Sequence, residues 1–199
     1  MATVVAALSM SLDGFIANPS GDVGPLFDWY GNGNVEIRWP GMGLVTHSTP
    51  PSAAYLRDVI ARAGALVVGR RVFDYTKGWG GQHPLNVPVF VVTHGRLPQK
   101  WIAEHPGAPF HFITQGVESA VAQAKAVAGD KTIGVNGPNI AQQCLNAGLL
   151  DEIHVDLIPV LLGQGIRFFE NVENAPVMLE DPTIIAGTRV THLTFRVRR

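Results

Sequence analysis

Short apolar, β-branched runs alternate along the chain with longer amphipathic stretches. The apolar runs have the length of buried strands, and the stretches between them have the spacing of helices. The predicted strands are residues 3–9, 65–69, 87–93, 110–114 and 131–135. The predicted helices are residues 52–62, 116–128 and 138–147, with Ser52 as a cap and glycines 64, 129 and 148 near their ends. This alternation predicts parallel strands with helices on both faces of a sheet.

The last third of the chain has a different pattern. Residues 152–159 predict a strand with no clear helix after it, and residues 189–197 alternate between apolar and polar. These two strands are predicted to be antiparallel, with a short strand near residues 177–179. The sequence therefore predicts one α/β domain whose mixed sheet has a parallel centre and an antiparallel C-terminal edge.

Residues 19–51 are the least regular part of the sequence. They are rich in Gly, Asn and Pro, and they carry the aromatic residues Phe27, Trp29, Tyr30 and Trp39. A loop of this length is uncommon unless it is functional. Two interpretations stay open: a cover over a bound molecule, and an insertion with its own small apolar cluster.

Composition narrows the class of protein. Of the 199 residues 46% are hydrophobic and 16% charged, and the net charge of −1 gives no basic excess for nucleic acid. The single cysteine, Cys144, excludes an intramolecular disulfide and a Cys-rich metal site. No basic segment precedes the apolar start, and no run approaches the roughly 20 apolar residues of a membrane helix. We therefore expect a soluble cytoplasmic protein with a small-molecule substrate, no metal, and neither a membrane nor a nucleic-acid partner.

Two glycine turns join a predicted strand to the segment that follows it. Gly69 precedes Arg70 and Arg71, and Asn136-Gly137 precedes a predicted helix. Helix N-termini attract phosphate, glycine permits close approach, and arginine can bind phosphate with two hydrogen bonds. Two arginines suit the 2′-phosphate of NADP better than NAD, although each turn alone also fits a plain connection. The second turn lacks the G-x-G-x-x-G pattern, so a standard Rossmann domain is not supported.

Two further segments follow predicted strands. Thr93 is the last residue of the predicted strand at 87–93, His94 and Arg96 follow it, and ligands collect beyond the carboxyl ends of parallel strands. Asp13 and Ile16 follow the first strand, where apolar surface could flank a flat nicotinamide ring. The simpler alternatives are a surface histidine at His94 and a turn that Asp13 holds in place.

Together these motifs resemble the RibD C-terminal family of the dihydrofolate-reductase-like superfamily. The resemblance covers nearly the whole chain and is carried by AALSMSLDGFIA at 6–17, LVVGRRVFD at 66–74, VPVFVVTHGR at 87–96 and GVNGPNIAQQCLNAGLLDEIHVDLIPVLLGQGIRFFE at 134–170. It implies a dihydrofolate-reductase-like three-layer α/β fold that binds NADPH. It also suggests a homodimer, while the sequence itself leaves monomer and dimer open.

The resemblance implies a role for each motif. Ala7 and Ile16 would flank the nicotinamide, and Thr93 and His94 would lie by the adenine ribose and its 2′-phosphate. The adenosine-side phosphates would meet Gly69, Arg70 and Arg71. The pyrophosphate would be held by backbone N–H groups at the turn of Asn136, Gly137, Asn139 and Ile140.

Three positions depart from the family pattern. Asn136 replaces the first glycine of a usual pair, although Asn tolerates left-handed backbone angles. Pro138 supplies no N–H, and Val72 stands where threonine is frequent. These departures motivate an alternative function, a nucleotide-binding protein of the same fold without reductase turnover.

The leading hypothesis is an NADPH-dependent reductase that transfers hydride to a small heterocyclic substrate. The candidate catalytic residues are Asp13, beside the expected nicotinamide, and Asp28, which holds a place along the chain comparable to the carboxylate of a folate reductase. The substrate stays open between a pterin and a pyrimidine intermediate of riboflavin biosynthesis. Isolated candidates for a substrate phosphate are Arg38, Lys77 and Arg167.

Overall fold

The structure, a computed structural model that describes residues 2–198, contains strands and helices in alternation. The strands are β1 (Thr3–Ser11), β2 (Phe15–Ala17), β3 (Val35–Arg38), β4 (Val45–Ser48), β5 (Ala63–Gly69), β6 (Val89–Val92), β7 (Phe110–Ile113), β8 (Thr132–Asn136), β9 (Glu152–Ile158), β10 (Ile166–Arg167), β11 (Thr183–Gly187) and β12 (Val190–Arg196). The helices are α1 (Pro50–Arg62), α2 (Arg70–Tyr75), α3 (Gln99–Glu104), α4 (Val117–Ala128) and α5 (Pro138–Asn146). A 3-10 helix spans Gly24–Gly31, and a left-handed turn spans Lys77–Gly81.

Eight strands form one sheet in the order β11-β12-β9-β1-β8-β5-β6-β7. The six strands from β9 to β7 pair in parallel, β12 is antiparallel to β9, and β11 is antiparallel to β12. The predicted α/β fold, with its parallel centre and antiparallel C-terminal edge, is confirmed. Two small antiparallel pairs, β2 with β10 and β3 with β4, lie outside this sheet.

Both faces of the sheet are covered, because most of the central strands are apolar on both sides. Helices α4 and α5 pack on one face through Val121, Ala124 and Ala141, against strand residues that include Val4 and Val67. On the opposite face, α1 packs over one end of the sheet and α2 and α3 over the other. This second face holds the side chains that matter below.

The irregular stretch has structure of its own. Its 3-10 helix buries Leu26 and Trp29, and the β3–β4 hairpin buries Ile37 in the same apolar cluster as Leu56 of α1. The insertion with its own cluster is therefore present. Since this cluster lies on the second face of the sheet, the segment also covers the strands beneath it.

Several predicted boundaries were wrong. Helix α1 begins at Pro50 after Thr49, not at Ser52, because proline is well suited to the first turn of a helix. The second antiparallel edge strand is β11, whereas near residues 177–179 only Leu179 forms a bridge, with Val197. Strand β11 is largely exposed, so it lacks the apolar alternation by which strands are predicted. Helices α2 and α3 are six residues each and were not predicted.

Candidate functional site

The carboxyl ends of the parallel strands leave a notch beside β1. Strand β1 pairs with β8 as far as Ala6, but it pairs with β9 as far as Ser11. Strand β8 ends at Asn136, where the chain turns into α5. The part of β1 beyond Ala6 therefore has no β8 partner, and its edge is available to a ligand, as in other open α/β sheets.

The turn into α5 is built for close approach by a ligand. Gly137 has φ of 110°, which glycine adopts without strain, and a Cβ there would lie 3.0 Å from Cγ2 of Val72. The first hydrogen bond of α5 runs from Ala141 N–H to the Gly137 carbonyl. Helical geometry leaves the N–H groups of Asn139 and Ile140 without partners inside α5, while Pro138 contributes none.

The two glycine turns meet. A Cβ on Gly69 would lie 3.1 Å from Cγ1 of Ile140, so the end of β5 and the start of α5 are in contact. Asn136 is half-buried beside them, whereas the Asn139 side chain is exposed and accepts a 2.6 Å hydrogen bond from Gln143. The structure thus brings the two glycine turns together.

Arg70 is held in place, while Arg71 is exposed. The Arg70 Nε lies 2.8 Å from Asp74 Oδ1, and its Nη1 donates to the Arg96 carbonyl at 2.7 Å. These contacts tie α2 to the turn after β6. In that turn Thr93 is buried, with its Oγ1 accepting from Gly95 N–H at 3.3 Å, and His94 is exposed.

Asp13 connects two loops through hydrogen bonds. Its carboxylate accepts hydrogen bonds from the Ser11 hydroxyl at 2.6 Å and from the N–H groups of Leu162 and Gly163 at 3.1 and 2.7 Å. The Ser11 bond, helped by these N–H groups, lowers the pKa of Asp13 to about 2. An ionised carboxylate with three donors suits the loop-fixing alternative better than proton donation.

The remaining sequence candidates lie in different surroundings. Ala7 is half-buried in β1 opposite His154 of β9, and Ile16 is half-buried in β2. Asp28 is exposed on the 3-10 helix, and its neighbour Trp29 is the buried residue of the pair. Arg38 pairs with Glu36 at 2.7 Å, and Arg167 lies 4.6 Å from the centroid of the Phe15 ring.

Sequence reasoning missed a buried polar cluster on the second face of the sheet. Ser9, Asp156 and His192 stand in register on β1, β9 and β12, so their side chains share this face. His192 Nδ1 lies 2.7 Å from Asp156 Oδ1, and His192 Nε2 lies 2.9 Å from the hydroxyl of Ser52 in α1. All four residues are less than 9% exposed.

Aromatic rings enclose this cluster. Tyr55 stacks on His192 with ring centroids 4.2 Å apart, and Trp29 meets His192 edge-on at 5.0 Å. The Trp29 Nε1 donates to Ser9 Oγ at 3.2 Å. Burial, together with the charge of Asp156 and a hydrogen bond to it, raises the pKa of Tyr55 well above its ordinary value. Tyr55 therefore keeps its proton.

A signal for the cluster is present in the sequence. Glu152, His154 and Asp156 alternate with apolar residues in β9, and His192 and Thr194 alternate with apolar residues in β12. Alternation places these polar residues on one face, which in a buried strand predicts partners for each of them.

Other features of the described residues lie away from the notch. Two open concavities of about 370 and 320 Å³ share Glu152, Glu180 and Arg196 near the amino end of β9. Within residues 2–198, no group of three or more His, Cys, Asp or Glu side chains is placed to hold a metal ion. In that same range no helix combines the length and the apolar character needed to cross a membrane.

The family follows from a match across the chain. The model of the RibD C-terminal domain matches residues 2–193. The chain belongs to the RibD C-terminal domain family.

Two uncharacterised proteins of Bacillus subtilis (strain 168), YwjB and YyaP, are similar to this family member in sequence. YwjB is 23% identical over 170 residues, covering 85% of this chain and 84% of YwjB. YyaP is 24% identical over 180 residues, covering 85% of this chain and 81% of YyaP.

Solved structures show the same fold for this RibD C-terminal domain. A protein from Shewanella sp. PV-4 named for riboflavin biosynthesis has a TM-score of 0.69 at 23% identity, with 100% of each chain covered. Dihydrofolate reductase from Enterococcus faecalis, in complex with NADP(H), has a TM-score of 0.60 at 16% identity, covering 99% of this chain and 97% of the reductase. The Acinetobacter baumannii RibD has a TM-score of 0.60 at 17% identity, covering 100% of this chain and 58% of RibD. The fold is therefore one on which reductases are built.

Proposed function

We propose that this RibD C-terminal domain protein is an NADPH-dependent reductase that transfers hydride to a small heterocyclic substrate. The observation that carries the proposal is the contact between two glycine turns, at Gly69 and Ile140, next to the open edge of β1. Membership of a family whose fold serves reductases supports it, although fold alone does not fix function.

The residues at the notch fit a dinucleotide. The space above Gly137 is one that a Cβ would fill, and it lies beside two N–H groups that point out of α5. These groups would hold the pyrophosphate, since helix N-termini stabilise anions. Arg71, exposed at the start of α2, and Arg70 beside it would supply positive charge to the 2′-phosphate.

The chain itself positions the reactants. The cofactor supplies the hydride when bound. Ala7 and Ile16 would flank its ring, and Asp13 holds the β1–β2 turn against the loop at 162–163 so that this wall of the notch stays in place. Fixed geometry of this kind supplies much of the rate in hydride transfer. The substrate would lie on the second face of the sheet, beneath the 3-10 helix.

A direct test is titration of the purified protein with NADPH and with NADH, followed through nicotinamide fluorescence. Saturable binding of NADPH below 1 mM, tighter than that of NADH, is the expected result. Absence of NADPH binding in this range would overturn the proposal. Oxidation of bound NADPH is then followed with dihydropterin and ribosylaminopyrimidine substrates, which distinguishes the two substrate classes.

A second function, nucleotide binding without turnover, is favoured by one observation. Val72 packs a methyl group against the Gly137 turn, and Pro138 lacks an N–H, so this turn offers fewer polar groups to a phosphate. Tight NADPH binding with no oxidation across the substrate panel would support this alternative. The homodimer is a separate proposal, which sedimentation of the purified protein tests.

A further inference from the structure

A chain of hydrogen bonds runs through the buried polar cluster from the edge of the sheet toward the notch. Ser52 is fully buried at one end, and His192 in the middle has a side chain only 1% exposed. Asp156 at the other end retains 11% exposure of its side chain. Ser52 is therefore the more deeply buried end of the chain, and Asp156 is the more exposed end.

The Asp156 end lies close to the proposed cofactor position. Asp156 stands in register with Ser9, two residues beyond Ala7 on β1 and on the same face. Two residues along a strand correspond to roughly 7 Å. At this level β1 has already passed the end of its pairing with β8, so Asp156 lies one strand away from the unpaired edge.

The arrangement can hold His192 in either protonation state. A neutral imidazole with a proton on Nδ1 donates to Asp156 and accepts from the Ser52 hydroxyl. A protonated imidazole donates to both, because the Ser52 hydroxyl is also an acceptor. His192 can thus gain or release a proton without losing a hydrogen bond.

We propose that Asp156, supplied with a proton by His192, which the Ser52 hydroxyl holds in position, is the proton donor that accompanies hydride transfer. This inference rests on the proposed reductase function. The cofactor would supply a hydride to the substrate carbon, and the π-electron pair of the C=N or C=O bond would move to the heteroatom. With His192 protonated, its Nδ1 proton passes to the Asp156 carboxylate, and the carboxyl so formed gives a proton to that heteroatom and becomes a carboxylate again, which leaves His192 neutral. After the oxidised cofactor and the product leave, solvent at Asp156 returns a proton, which passes to His192.

The surroundings of Asp156 suit proton transfer to a substrate. Tyr55 from α1 and Tyr30 from the 3-10 helix face it, and burial with the charge of Asp156 raises the pKa of both phenols, so neither competes as an acid. Arg62, farther along α1, has a smaller and opposite effect, because its positive charge lowers the pKa of Tyr55. A buried His–Asp pair adds little to stability compared with apolar packing.

Strand β9 provides a matched control. Glu152, which is half-buried, and the buried His154 form a second pair, with 2.9 Å between Glu152 Oε2 and His154 Nε2, on the same face as Asp156. Glu152 lies at the amino end of the strand, away from the notch. Replacing it removes the same kind of contact at a position where no proton donor is proposed.

The first test needs no substrate. Ring ¹⁵N signals of His192 are recorded in the complexes with NADP⁺ and with NADPH and assigned by their loss in His192→Gln. The oxidised ring carries a positive charge, so the His192 signals should differ between the two complexes, and this difference should disappear in Asp156→Asn. Exposed His47 should give the same signals in both. Identical His192 signals would overturn the inference, whereas failure of either cofactor to bind would overturn the reductase itself.

The second test separates proton donation from a structural role. Asp156→Asn should lower kcat about 10²-fold or more, the usual contribution of a positioned acid, while the Kd for NADPH stays within about twofold. The fall of kcat at high pH should be lost in the same variant. Glu152→Gln should retain kcat and its pH profile even if its Tm falls. An Asp156→Asn enzyme with lower Tm but unchanged kcat and pH profile would contradict the inference.

Discussion

Gly69 and Ile140 touch at the point where two strand–helix turns of the sheet meet. The 3.1 Å approach to Ile140 Cγ1 that a Cβ on Gly69 would make leaves room for little more than hydrogen at this position. Residues 71 positions apart in the sequence thereby form one surface, with the N–H groups of α5 on one side and the arginines of α2 on the other. The proposed phosphate site depends on this contact.

Gly137→Ala should weaken NADPH binding and lower stability by about 1–2 kcal/mol, because an L-residue is strained at φ of 110°. The added Cβ would also press on Val72, 3.0 Å away. Urea unfolding and NADPH titration measure the two effects. Gly129→Ala is the matched control, since Gly129 also has positive φ but open space around it. It should lose stability and keep its NADPH affinity; equal loss of affinity in both variants would contradict the assignment.

Arg70→Ala should weaken NADPH about tenfold, or roughly 1.4 kcal/mol, and NADH less. The substitution removes positive charge near the proposed 2′-phosphate and frees the turn that Arg70 holds through the Arg96 carbonyl. Titrations of the native protein and the variant with each cofactor give the fold-loss of affinity for NADPH and for NADH. Lys100→Ala removes another helical ion pair, with Glu104 in α3, and should leave both affinities unchanged. Equal weakening of NADPH and NADH would show that Arg70 does not serve the 2′-phosphate.

The hydrogen bonds that the Asp13 carboxylate accepts predict a pH dependence of stability. The folded-state pKa of about 2 lies below the ordinary value of 3.8, so the ionised carboxylate stabilises the fold above pH about 4, and this contribution is lost as pH falls toward 2. Asp13→Asn should therefore be less stable than the native protein at pH 7, with the gap narrowing from pH 4 to pH 3. Unfolding midpoints in urea at pH 7, 5, 4 and 3 test this. A stability difference between the two proteins that stays constant across this pH range would contradict a stabilising role of the ionised Asp13 carboxylate.

Trp29 connects the inserted segment to the polar cluster. Its ring stacks on Tyr30 at 4.0 Å and its side chain is almost fully buried, so Trp29→Ala should cost about 3–5 kcal/mol. Trp29→Phe keeps the ring packing but removes the donor to Ser9, and it should cost much less. Denaturant unfolding of the two variants measures the difference. Similar losses would mean that the hydrogen bond, not the packing, anchors the segment.

The parallel centre of the sheet could be predicted because residues 65–69 and 110–114 are apolar runs bounded by turn residues. The glycine turns could also be located, since Gly69 and Gly137 each follow a buried strand. Strand β11 could not, because its exposed residues carry no burial pattern. Helix α2 was hidden by its length of six residues, which is too short for helical periodicity to show.

The buried polar cluster could not be predicted from the sequence, for a different reason. Asp156 and His192 are 36 positions apart, and Ser52 lies 140 positions before His192. Their contact depends on the pairing of β9 with β12 and on the packing of α1, neither of which local patterns determine. Sequence position therefore favoured Asp28, whose side chain is exposed, and gave no reason to choose Asp156.

The proposed reductase function depends most directly on where a nicotinamide dinucleotide binds. Amide ¹H–¹⁵N spectra of the labelled protein, recorded during titration with NADPH, locate that surface. We expect the largest shifts at Gly69, Gly137, Asn139 and Ile140, with a further set at Ala7 on the open edge of β1. Shifts confined to the opposite concavity, around Glu152 and Arg196, or no shifts at saturating NADPH, would contradict it.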